Sequence, residues 1–167
     1  MARTAEEKFM QQQGFAGEAP VRLAPHFRAL RFQPSIVGPL MLLAVILQLP
    51  VLFLVLAAVL TWNVVFPQWN PFERFYDWVI GTRHGLLPLA PAPGPRRFAQ
   101  GMAAVFMLAS GVAITLGFRV TAYVFEAMLI LAFTALLGGK FCLGAYIYQV
   151  LHGRTSLANA TCPWSRD

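Results

Sequence analysis

Two thiols, one intramembrane carboxylate and three histidines are the groups of this chain that could do chemistry. Cys142 sits in GGKFCLGAYIYQVLHG, residues 138–153, and Cys162 in the tail ATCPWSRD. A thiol in such a setting can attack a disulfide or carry sulfur, or it can pack as a small apolar residue, and both readings of Cys142 stay open. Both cysteines fall on the side expected to face a reducing compartment, so no disulfide framework is expected. Glu126 is the one acid inside an otherwise apolar stretch, and ionising it in lipid is costly. Arg119 lies two helical turns earlier on nearly the same face, about 10 Å away along the axis, so an intramembrane ion pair of Arg119 with Glu126 is expected. Contact with a partner subunit and proton handling are the other roles open to Glu126. Gln48, Gln100, Ser110, Thr115 and Thr134 are sparse material for a transport path. His26, His84 and His152 share no metal-ligand spacing with one another or with the cysteines. No metal site, phosphate loop or nucleophile–base arrangement is recognisable, so catalysis is not expected and no catalytic residue is assigned.

These groups must be positioned by membrane helices. Of the 167 residues 57% are hydrophobic and only 12% charged, about half the charged share of a soluble domain. Uncharged runs extend from Phe32 to Phe72 and from Phe98 to Phe118, and a third, interrupted only by Glu126, from Val120 to Gly139. The first is too long for one crossing of a core about 30 Å thick, and Pro50 beside Gln48 divides it. The fold class expected is all-α integral membrane: four transmembrane helices, at about 34–49, 51–66, 98–117 and 120–140, arranged as two helical hairpins. A re-entrant first hairpin is the rival. Residues 1–33 and 152–167 are read as tails flanking a membrane domain over 34–151. Of the 13 Lys and Arg residues, only Arg119 falls on the far side of this arrangement, which places both termini in the cytoplasm by the positive-inside rule. The net charge of +6 then reads as topology, and no nucleic-acid partner is expected. With the first apolar run preceded by a long mixed segment, no cleaved signal peptide is expected.

Thr4 and Glu7 have the spacing of a capping box, opening a helix that ends at Gly14. Phe27, Arg28 and Arg31 suit a stretch lying on an anionic membrane surface. Between the hairpins, Phe72, Phe75, Tyr76, Val79 and Ile80 recur at helical spacing, with Glu73, Arg74 and Asp77 opposite, as in an amphipathic helix at the membrane interface. Trp69 and Trp78 belong to its aromatic belt, and anchoring or partner docking would use the same residues. Leu87 to Pro95 is expected to be a polyproline strap. Arg96 and Arg97 follow, facing lipid phosphates or a partner's acids.

From about Pro34 to Leu151 the chain resembles the bacterial membrane-protein family catalogued as domain of unknown function 4395. NPFERFY, PRRFAQGMAAVF and KFCLGAYIY carry the resemblance, PRRFAQG and FCLG most specifically. The resemblance implies paired helical hairpins, and for some members thiol or sulfur handling with thioredoxin-like or rhodanese-like proteins. Many members carry Cys-Leu-Gly-Cys; here the second cysteine would fall on Ala145, so only Cys142 carries over.

The leading expectation is a non-catalytic accessory subunit of a larger inner-membrane complex, respiratory or photosynthetic. Its interface residues would be Phe27, Arg28, Arg31, Trp69, Phe72, Arg74, Phe75, Tyr76, Trp78, Arg96 and Arg97. The alternative is a membrane thiol or sulfur-transfer component using Cys142 with a soluble redox partner; a weaker one is a small transporter using Glu126. No cofactor is expected, with room left for bound lipid or pigment, and anionic lipids are expected partners.

Overall fold

The computed structural model describes residues 4–15, 20–81 and 91–162, and among these the regular structure is helical, with no strand. Helix α1 (Ala5–Gln12) opens on the expected capping box: the Thr4 hydroxyl accepts from Glu7 N–H at 3.2 Å, and the Glu7 carboxylate accepts from Thr4 N–H at 2.8 Å. It stops at Gly14, whose φ of +96° only glycine adopts readily.

Helix α2 (Pro20–Leu47) is longer than expected, beginning well before Pro34 and running straight through it and Pro39. A proline inside a helix removes one backbone bond, a loss that neighbouring helices can offset in apolar surroundings. The segment read as a tail thus becomes, from residue 20 onward, the first turns of a membrane-length helix. Gln48, at φ +48°, and Leu49 make the expected turn, and Pro50 takes the first position of α3 (Pro50–Val65), where its missing N–H has no partner to lose.

A 3₁₀ turn (Pro67–Trp69) leads to α4 (Pro71–Tyr76), capped by the Asn70 side chain accepting from Phe72 N–H at 3.0 Å and followed by a π-helical turn, Asp77–Gly81. Then come α5 (Gly94–Thr115), α6 (Arg119–Leu137), α7 (Leu143–Leu151) and α8 (Thr155–Ala160). Of the proline strap expected over Leu87–Pro95, residues 87–90 lie outside the described residues, as do Arg83 and His84; residues 91–93 have no regular structure, and Gly94 and Pro95 already belong to α5, where proline suits the first turn.

Among the described residues, three helices are long and apolar enough to cross a membrane: Phe27–Leu47 within α2, then α5 and α6; α3, also apolar, has 16 residues. At 1.5 Å per residue α3 reaches about 24 Å. It lies against α5, which also packs on α6 and α7. The core is Val37, Met41 and Ala44 from α2, Phe53, Leu56 and Leu60 from α3, Met107 from α5 and Leu129 from α6. Ile46, Val51, Val120 and Leu131 point outward, as lipid-facing residues do. A second core forms where α1 folds over α2 and α7: Phe9, Met10, Phe15, Phe27, Leu30, Cys142 and Ala145.

Candidate functional site at Cys142 and Arg96

The chain leaves α6 through Gly138, Gly139 and Lys140, the last at φ +49°, and places Cys142 at the N-cap of α7. The thiol therefore sits at a helix N-terminus without a capping hydrogen bond of its own, near the first backbone N–H groups of α7 and the Arg96 guanidinium. Both favour a thiolate. Burial opposes them and wins, holding the Cys142 thiol above its ordinary value of 9.0. Gly144 is required by packing: a Cβ there would stand 2.7 Å from Ala99 Cα on α5. The Cys-Leu-Gly segment is thus seated directly against the third apolar helix. Ala145, where many relatives are expected to carry a cysteine, is fully buried. Neither Cys142 nor Cys162 is in a disulfide.

Helix α1 covers this thiol. Cys142 N–H donates to Gln12 Oε1 at 2.8 Å, and Gln149 Nε2 makes a long 3.5 Å contact to Gln12 C=O. Gln12 Nε2 and Gln149 Oε1 are buried there with no hydrogen-bond partner among the described residues. Buried polar atoms left so cost about 1–3 kcal/mol each, so the cover is imperfectly matched to what it covers.

Arg96 was expected to face outward and is instead 4% exposed, its Nη2 2.8 Å from the Glu73 carboxylate. Glu73 was expected on the polar outer face of its helix and is also buried. The two corrections have one cause: either charge alone inside the protein would be prohibitive, and each supplies the other's partner. Burial still raises the Glu73 carboxyl, helped by Asp77 and opposed by Arg96 and by the Asn70 hydrogen bond. Behind the pair, Gln33 Oε1 accepts from Gln100 Nε2 at 2.9 Å and from Asn70 Nδ2 at 3.3 Å. A cavity of about 100 Å³ opens beside these groups, lined by Gln33, Leu60, Arg96, Gln100, Phe133 and Cys142 among others.

The remaining interface candidates divide. Phe27 is buried edge-on to Phe9, with Arg31 and Lys140 over its ring, and Arg31 Nη2 also donates to Leu137 C=O at the end of α6. Arg97 closes the C-terminus of α3, donating from Nε and Nη2 to Val64 C=O at 3.1 and 2.8 Å. Tyr76 is buried against Phe32, and Phe72 is half-buried on the main core. Arg28, Arg74, Trp69, Phe75 and Trp78 remain exposed; Arg74 lies 5.2 Å over the Trp69 ring and Phe75 stacks on Phe32.

Glu126 is buried, but its partner is Gln48, whose Nε2 lies 3.1 Å from both carboxylate oxygens. The structure does not bring Arg119 to it; Arg119 is exposed at the first position of α6, two turns away along the axis. The turn at Gln48 delivers an amide at the depth of Glu126, which a linear reading of α6 alone does not reveal. Among the described residues no cluster of His, Cys, Asp and Glu could hold a metal ion. His152 stacks on Tyr148, and the His26 side chain lies outside the described residues.

Glu73, Gln12 and Gln33 were missed as site residues. Glu73 had a signal, being an acid within an aromatic segment that meets an arginine pair later in the chain. Gln12 had none, since its contact spans nearly the whole sequence. Compared with known proteins, the family model described as Domain of unknown function (DUF4395) matches residues 27–152. No curated protein and no solved structure matches.

Proposed function

The chain belongs to the family described as domain of unknown function 4395, and from that premise we propose that it is a membrane-embedded thiol component in which Cys142 exchanges with a soluble partner once α1 lifts. The observation that carries this reading is the placement of Cys142 at the N-terminus of α7, near Arg96 and beside a cavity that both residues line. With α1 in place the thiol is protonated and shielded. With α1 displaced, the burial that raises it is relieved while the helix terminus and Arg96 remain. The thiolate then attacks one sulfur of a partner's disulfide, forming a mixed disulfide, and the other partner sulfur leaves as a thiolate that takes up a proton. Because Ala145 offers no resolving thiol, the mixed disulfide is released when the thiolate of a second partner attacks the first partner's sulfur, forming a disulfide between the two partners while Cys142 leaves as a thiolate. Gln12 Nε2 and Gln149 Oε1 support the opening, since both gain water when α1 leaves.

The experiment is acid trapping of mixed disulfides in cells expressing the full chain with Cys162→Ser, followed by mass spectrometry. A disulfide between Cys142 and a soluble thioredoxin-like or rhodanese-like protein, absent from a Cys142→Ser control, is expected. A Cys142 found only as free thiol under oxidising growth would sink the reading.

A second reading, a non-catalytic accessory subunit of a larger membrane complex, is favoured by one observation: Trp69, Arg74, Phe75 and Trp78 form an exposed aromatic and basic ledge beside the bundle. Loss of a co-purifying complex on replacing the three aromatics by alanine, with Cys142→Ser without effect, would favour it over the thiol reading. In either reading α3 crosses the bilayer as a short fourth span, giving two hairpins with both termini on the cytoplasmic face of a bacterial inner membrane; the distribution of Lys and Arg supports that orientation.

A further inference from the structure

A groove of about 540 Å³ runs along the outside of the bundle where α3 meets α5, lined by Val64, Arg97, Phe98, Gly101, Val105 and Phe106 among others. Its volume lies within the range of ligand sites. Phe98 is held against Tyr148 and Phe106 against Phe125, so the aromatic walls are fixed. From Arg97 to Phe106 the groove follows α5 for about 13 Å at 1.5 Å per residue, close to the depth of one leaflet of a core about 30 Å thick. Gly101 keeps it open. A Cβ there would meet only Val64 Cγ2, at 3.9 Å, so packing does not demand glycine, although glycine weakens a helix relative to alanine.

Arg97 stands at the end of the groove nearest the membrane surface, in the first turn of α5. It is exposed, and its Nε and Nη2 donate to the C=O of Val64, itself a groove residue, which fixes the guanidinium at the mouth. Among the described residues no carboxylate pairs with it, whereas the neighbouring Arg96 is neutralised by Glu73. Of the residues lining the groove Arg97 alone is charged. A fixed cation above an apolar groove of leaflet depth is complementary to a molecule with one anionic head and an apolar tail. A zwitterionic head would bring an ammonium group for which the groove holds no carboxylate. We propose that this groove seats an acyl chain of an anionic phospholipid whose phosphate is bound by Arg97. The proposal rests on α5 as a membrane helix and not on any reaction at Cys142.

The test uses the full chain purified in mild detergent and titrated with phosphatidylglycerol and phosphatidylcholine of identical acyl chains, with bound lipid counted by native mass spectrometry. One phosphatidylglycerol per chain is expected, bound about tenfold more tightly than phosphatidylcholine. Arg97→Gln should remove that preference, through loss of a charge-assisted hydrogen bond. Gly101→Leu, which fills the groove and leaves Arg97 in place, should abolish the stoichiometric binding. Arg74→Gln, which removes an exposed arginine outside the groove, should leave it unchanged. Circular dichroism and the thermal midpoint of each variant establish that it is folded. Equal binding of the two lipids, or a preference that Arg74→Gln reduces as much as Arg97→Gln does, would mean annular contact or overall charge and overturn the proposal. A preference that survives Arg97→Gln or Gly101→Leu would place the lipid elsewhere and overturn it as well. A dimer that Gly101→Leu dissociates, with no lipid preference, would assign the groove to a second copy of the chain and reject the lipid.

Discussion

At the scale of single residues, the balance at Cys142 and Glu73 is set by burial against nearby charge. Arg96 carries both ends of this balance, since it is the partner of the carboxylate and a neighbour of the thiol. Removing it alone, as Arg96→Met, strands a buried carboxylate and should cost about 3–5 kcal/mol, while Arg96→Met with Glu73→Gln should recover most of that loss; thermal or denaturant unfolding in detergent reads the difference. The pH dependence has a definite sign. The folded Glu73 carboxyl is raised above its ordinary 4.5, so the folded state keeps a proton that the unfolded state releases. Its contribution to stability is full below 4.5 and falls as pH rises toward the raised value. Glu73→Gln should flatten that slope, and an unchanged slope would assign it to other groups.

At the scale of elements, α1 decides whether the thiol is available. Its apolar face, Phe9 and Met10, is buried against Phe27, Leu30 and Cys142, yet the contact encloses the orphaned Gln12 Nε2 and Gln149 Oε1. Deleting residues 1–14 in a Cys162→Ser chain should speed maleimide labelling of Cys142 by at least about tenfold near neutral pH. It should also move the pH at which labelling becomes fast downward, because relief of burial lowers the thiol's pKa. Equal rates with and without α1 would mean that the helix is not the barrier. The Cys-Leu-Gly segment is constrained independently, by the approach of Gly144 to Ala99. Similarity at that glycine therefore reports helix packing, and only Cys142 itself reports on chemistry.

At the scale of the whole molecule, the proposed topology turns on α3. Its 16 residues reach about 24 Å against a core of about 30 Å, a mismatch that local thinning of the bilayer accommodates at modest cost. Cysteines introduced singly into a Cys142→Ser, Cys162→Ser chain decide it. With four spans, Gly117→Cys reacts with an impermeant maleimide from outside the cell and Gln68→Cys does not. If α3 turns back without crossing, the two reactivities exchange. The outward residues of α2, α5 and α6, such as Ile46, Val112 and Leu131, then match lipid on either account.

The sequence by itself determined the helical class, the turns at Gln48–Pro50 and Gly117, the N-terminal capping box and the family, because each rests on a local pattern of apolar runs, prolines, glycines and short spacings. It also singled out Cys142 and Glu126 as the residues to watch. Only the tertiary structure decided their partners. Glu126 meets Gln48 instead of Arg119, Arg96 turns inward to Glu73, and Cys142 is sealed by Gln12 from the opposite end of the chain. Periodicity reports which face of a helix is apolar, but a buried polar residue is matched by whichever helix the fold brings alongside it, and that choice is made between elements distant in the chain.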